Sequence, residues 1–103
     1  MKLIQKLEDL IDDEIHDVKH YAKMAIELKK EYPSLAQVLY TISTQEDGHQ
    51  AMLHSEVVKI IESYRKEKGE PPATMMAVYN YLHQKSIDQL ANARRYHEMY
   101  KSS

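Results

Sequence analysis

The sequence predicts an all-α fold of three long helices. Three observations predict it. Apolar residues recur at three- and four-residue spacing through most of the chain, the signature of amphipathic helix. Only two glycines and three prolines occur in 103 residues. All but one of those five lie at two short breaks, Glu31-Tyr32-Pro33-Ser34 and Lys68-Gly69-Glu70-Pro71-Pro72.

The first helix is expected over residues 2–30. Its stripe reads Leu3, Leu7, Leu10/Ile11, Glu14, Asp17/Val18, Tyr21, Ala25, Leu28. Pro33 ends it, because proline disfavours helical geometry at Tyr32 and suits the first turn of a following helix. The second helix is expected over 34–67, with stripe Leu35, Val38/Leu39, Ile42, Glu46, His49, Leu53, Val57, Ile60, Tyr64. Gly69 followed by two prolines is a strong stop signal. The third helix is expected over 73–100, with stripe Met75/Met76, Tyr79, His83, Ile87, Leu90, Ala93/Arg94, His97, Tyr100. Residues 1–103 read as a single helical domain, with no repeat and no long linker.

Short turns make sequential helices antiparallel. Three helices of about 30 residues, each about 45 Å long at 1.5 Å per residue, leave one side of the bundle open. A second copy would close that side, so a homodimer or higher homo-oligomer is expected. A monomeric three-helix bundle is the plain alternative.

Bulk composition excludes several functions. A formal charge of −2 and a pI near 6.3 lack the basic surplus of a nucleic-acid binder. No apolar run is long enough to span a bilayer, so no membrane role is expected. The first six residues, Met1-Lys2-Leu3-Ile4-Gln5-Lys6, carry no signal-peptide core, and a cytoplasmic location is expected. Zero cysteines exclude disulfides, thiolate catalysis and Cys-ligated metal centres within the chain. Phosphate loops and serine elbows are absent.

The residues that carry chemistry are Glu14, Glu46 and His49. Each falls on the stripe that the helical period assigns to the apolar seam. A carboxylate buried there must be paired, protonated or metal-bound. Their heights also agree. Glu14 precedes the first turn by 17 residues, and Glu46 and His49 follow it by 13 and 16. Those offsets correspond to roughly 20–26 Å along each helix, so antiparallel packing brings all three to one level. Glu46-Asp47-Gly48-His49 is a Glu-x-x-His, with carboxylate and imidazole on one helix face. Carboxylate and imidazole together suit iron, manganese or zinc. Mid-helix Gly48 would allow close packing or a local distortion beside the site, or is simply tolerated.

Asp17, His83 and His97 are secondary metal-ligand candidates. Asp17 lies one turn after Glu14. His97 is expected near the level of Glu46, and His83 nearer Glu56. Tyr21 is read as core packing or a hydrogen-bond partner of a ligand. His16, His20 and His54 are read as surface or interface residues. Arg94 and Arg95 are expected to pair with the acidic face of the first helix.

Glu14, then Glu46-x-x-His49 on an antiparallel helix, resembles one half of a ferritin-like bundle. In that superfamily, which includes ferritins, bacterioferritins and rubrerythrins, each half supplies one Glu and one Glu-x-x-His to a di-metal carboxylate site. The likeness is greatest to short half-ferritins of the encapsulated type, which build the four-helix unit by dimerising. Small phage and prophage ferritin-like proteins are also similar, with an aromatic-rich third helix comparable to Tyr79-Asn80-Tyr81-Leu82-His83. The resemblance covers the first two helices. It implies a ferritin-like half-bundle completed by dimerisation, a divalent metal cofactor (iron first, then manganese or zinc), and a ferroxidase-type oxidation of Fe(II). The third helix has no second Glu-x-x-His, so a complete site would need a second chain. The alternative is a metal-free helical interaction or structural protein, for example an accessory protein of phage origin.

Overall fold

The computed structural model describes residues 2–103. It contains three α-helices and, among the described residues, no strand: α1 (Lys2–Leu28), α2 (Pro33–Lys68) and α3 (Ala73–Ser102). The expected bounds hold to within two residues. Pro33 occupies the first turn of α2, and Tyr32 before it is pushed out of helical geometry, with φ −132° and ψ 67°. Gly69 ends α2 at φ 80°, and its N–H donates to the Arg65 carbonyl at 3.0 Å. Only glycine takes that left-handed conformation without a steric penalty. Arg65, Lys66 and Lys68 in the last turn of α2 suit the negative end of its dipole.

The molecule is a rod of 56 × 19 × 18 Å, a length set by the 36 residues of α2 at about 1.5 Å each. α1 is the central element, packed closely against both α2 and α3. The α2 and α3 backbones stay farther apart and meet through longer side chains. At one end lies a core of Ile4, Ile11, Ile15, Val57 and Ile61. Ala25, Ala36, Leu39 and Tyr100 form a second core at the other end. Fully buried Ala22, Ala25, Ala36 and Ala93 keep the helices close in that second half. There Tyr40 stacks on Tyr100 at 4.5 Å. Lys29 donates to the Tyr100 and Ser103 carbonyls and lies over the Tyr100 ring. It thereby places a cation at the negative end of the α3 dipole.

Burial follows a stripe rotated from the one the periodicity suggests. On α1 the buried residues are Ile4, Glu8, Ile11, Ile15, Val18, Ala22 and Ala25. Leu3 and Leu10, expected inside, are 52% and 49% exposed. On α2 the buried set is Ala36, Leu39, Ser43, Gln50, Val57 and Ile61. α3 packs into one side of the α1–α2 pair and pulls the centre of burial toward itself. The other side of the pair carries exposed Leu3, Leu10, Val38 and Met52.

Gly48 neither packs closely nor distorts the helix. α2 is continuous through it, and a Cβ there would meet nothing within 4 Å. Gly48→Ala is therefore expected to stabilise the protein by about 0.5–1 kcal/mol, through the lower entropy of the unfolded chain. Thermal unfolding reads the change. A loss of stability would show that another chain presses on that point.

Candidate metal centre

Glu14 on α1 and Glu46 and His49 on α2 meet at one level, as their offsets from the first turn require. One donor atom from each lies within 4.8 Å of the others. His49 Nδ1 stands 3.5 Å from Glu14 Oε2 and 3.6 Å from Glu46 Oε1. These separations are long for hydrogen bonds. They are close to the distance of about 3.4 Å between two ligand atoms that share one ion at about 2.1 Å in tetrahedral geometry. Glu14 Oε2 is shielded from solvent and has no hydrogen-bond partner among the described residues.

The three groups sit at the edge of the helix pair rather than in its dry interior. The Glu14 and Glu46 side chains are 26% and 18% exposed, and that of His49 is 53%. The seam position expected from periodicity is thus only partly realised, because α3 covers the opposite flank. The site opens on the side that carries Leu10 and Met52.

Glu46 is held above the ordinary carboxylate range, first by the Glu14 carboxyl beside it, which favours the protonated form, then by burial and by the Glu14 charge; His49 opposes the shift. Two carboxyl groups this close cannot both ionise freely without a cation. In the presence of a chelator, Glu46→Gln is therefore expected to match or exceed the parent stability at neutral pH, by up to about 1 kcal/mol. Chemical denaturation measures it, and a clear loss would contradict this account of the pair.

The other candidate ligands go elsewhere. Asp17 is exposed on α1 and outside the group. His97 is near the expected level but turns to α3's side of the pair. There Ser43 Oγ donates to the Val18 carbonyl at 2.6 Å and lies 2.7 Å from His97 Nε2. The hydroxyl has one proton, already committed to Val18, so His97 Nε2–H must donate to it. Burial lowers the affinity of His97 for a second proton. His83 lies against His54 rather than beside Glu56, with ring centroids 4.6 Å apart and planes 8° from parallel. His54 is therefore partly buried packing, not a surface residue. Tyr21 packs in the second core.

Comparison with known families, curated proteins and solved structures returned no match.

Two polar residues outside the centre escaped the periodicity. Asp47 accepts from Arg94 Nε and Nη2 at 2.7 and 2.8 Å, a bidentate pair that ties α3 to α2. That bond holds the Asp47 carboxyl below its usual range. Arg94 was expected on the acidic face of α1 and is instead taken by α2. Glu8 is the second residue. Only 5% exposed, it lies on the buried stripe between Ile4 and Ile11, with Oε1 shielded and without a partner. Its signal was present in the sequence as the i, i+4, i+7 spacing Ile4, Glu8, Ile11.

Proposed function

We propose that this chain is a metal-binding protein that holds a divalent cation, iron foremost, through Glu14, Glu46 and His49, at a face completed by a second copy. The single observation that carries the reading is the convergence of two carboxylates and an imidazole from two helices within 4.8 Å. Three further features support it. Glu14 Oε2 has no hydrogen-bond partner, and Glu46 resists losing its proton beside Glu14. Leu3, Leu10, Val38 and Met52 are exposed and would be buried between two copies that pair on this face.

One chain offers three ligands and leaves coordination positions open. A two-fold partner would bring a second Glu14, Glu46 and His49 to the same level. In that arrangement the two copies of Glu14, Glu46 and His49 would together hold the ions, as in a half-bundle of the ferritin-like kind. With iron, the chemistry supplied is oxidation of Fe(II) by oxygen or peroxide. Asp17, one turn along α1, is placed to accept hydrogen bonds at the rim, or to join the ligands if α1 shifts in the dimer.

The test is metal content and assembly together. Protein purified without chelator should carry stoichiometric iron, manganese or zinc. Glu46→Ala and His49→Ala should lose it. Metal at 100 times its dissociation constant should stabilise the parent by about 2.7 kcal/mol. Light scattering at micromolar concentration should give a dimer or larger. A 12 kDa monomer whose unfolding ignores added Fe(II), Mn(II) and Zn(II) would overturn the reading. It would leave the metal-free interaction protein in its place.

A further inference from the structure

We propose that Glu8, His54 and His83 form a second cation site, one ligand from each helix, that takes a divalent ion of the zinc class. It does not depend on the Glu14 centre. It lies on the other flank of the α1–α2 pair, where α3 packs.

The three residues share one level. Val18, Ser43 and His97 mark a layer joined by hydrogen bonds. Glu8 lies ten residues before Val18, His54 eleven after Ser43, and His83 fourteen before His97. Each offset is about 15–21 Å along its helix, and all three run toward the same end of the rod. The side chains accordingly line one pocket of ≈ 260 Å³ together with Ile11, Gln50 and Leu90. That volume has ample room for an ion and a water or two.

The donor chemistry fits. Glu8 is buried, and its Oε1 meets no donor among the described residues. Left without a cation, such a group must keep its proton, and burial does raise its pKa. Neutral imidazole is the ligand form, and burial, then His83, shifts the His54 pKa downward in that direction. Two imidazoles, a carboxylate and an open position match a known zinc coordination pattern.

The site is not preassembled. The two rings lie 8° from parallel and 4.6 Å apart, and stacked rings direct their lone pairs into parallel planes that cannot converge on one ion. His83 must rotate away from His54 and from Tyr79, whose ring is also stacked with it. The first two thirds of α3 permit this, since residues 73–92 include none that is fully buried. The ion would replace a ring stack with bonds across all three helices, drawing the loosely held part of α3 onto the pair.

The test uses the full chain carrying Glu46→Ala and His49→Ala, which removes the other centre. In that background, calorimetric titration with Zn(II) should show one equivalent per chain. Co(II) should give a visible absorption band, displaced by Zn(II). The nitrogen NMR shifts of the His54 and His83 rings should move together on adding Zn(II). His54→Gln and His83→Gln should each abolish binding, and Glu8→Gln should weaken it about tenfold or more; circular dichroism confirms that each variant is folded. Absence of a Zn(II) equivalent in the background overturns the proposal. So does binding that survives both histidine variants, as the exposed i, i+4 pair His16 and His20 on α1 would give.

Discussion

Ile11→Ala is expected to destabilise the protein by about 3–4 kcal/mol, as complete truncation in a packed core does. Ile11 is 2% exposed and packs with Ile4, Ile15, Val57 and Ile61. Ile11 also lines the pocket beneath α3. A chain this small has a total stability of about 5–15 kcal/mol, so the loss should be plain in urea unfolding. Leu10→Ala, one residue away, should cost little within a single chain, because Leu10 is half exposed. In an assembly closed on that face, it should weaken association instead. If Ile11→Ala costs under about 1 kcal/mol while Leu10→Ala costs more, the burial of Ile11 in place of Leu10 is wrong.

Ser43→Val should cost about 2 kcal/mol, since it leaves the buried Nε2–H of His97 without an acceptor. The same network makes stability depend on pH. Burial, the largest cause, lowers the His97 pKa below 6.5, and His54 shifts the same way by burial and by His83. A histidine kept neutral in the fold binds fewer protons folded than unfolded. Its contribution is therefore fully present above pH 6.5 and declines as the pH falls from there toward the folded-state pKa. Glu8 and Glu46 run in the opposite sense. Their raised values favour the fold below pH 4.5, and that contribution is lost as the pH rises through the folded-state pKa. Melting temperatures from pH 7.5 to 5.0 should therefore fall less steeply in His97→Gln than in the parent. Equal slopes in the two proteins would contradict the account of His97.

Much of this molecule was legible in the chain. Pro33, and Gly69 with Pro71 and Pro72, fixed the breaks through backbone sterics, which need no tertiary partner. The common level of Glu14, Glu46 and His49 followed from counting residues back from a tight turn, because helical rise is constant. The side on which each residue is buried was harder to read. Leu3, Leu10 and Glu14 compete with Ile4, Glu8 and Ile11 for the inside of α1, and both rows are apolar enough to qualify. Glu8 carries both signals at once, a charge that favours the surface and a spacing that fits the core.

What the sequence determined by itself, then, is three helices, their ends, and one acid-and-imidazole level on the first two. These depend on local geometry: proline sterics, glycine at positive φ and a rise of about 1.5 Å per residue. What only the tertiary structure decided is which flank of the α1–α2 pair α3 occupies. That choice buries Glu8, seats His97 on Ser43, stacks His83 on His54 and leaves His49 at the open edge. It rests on contacts between residues 25 to 75 positions apart, and a period of 3.6 residues holds no information about which neighbour will arrive.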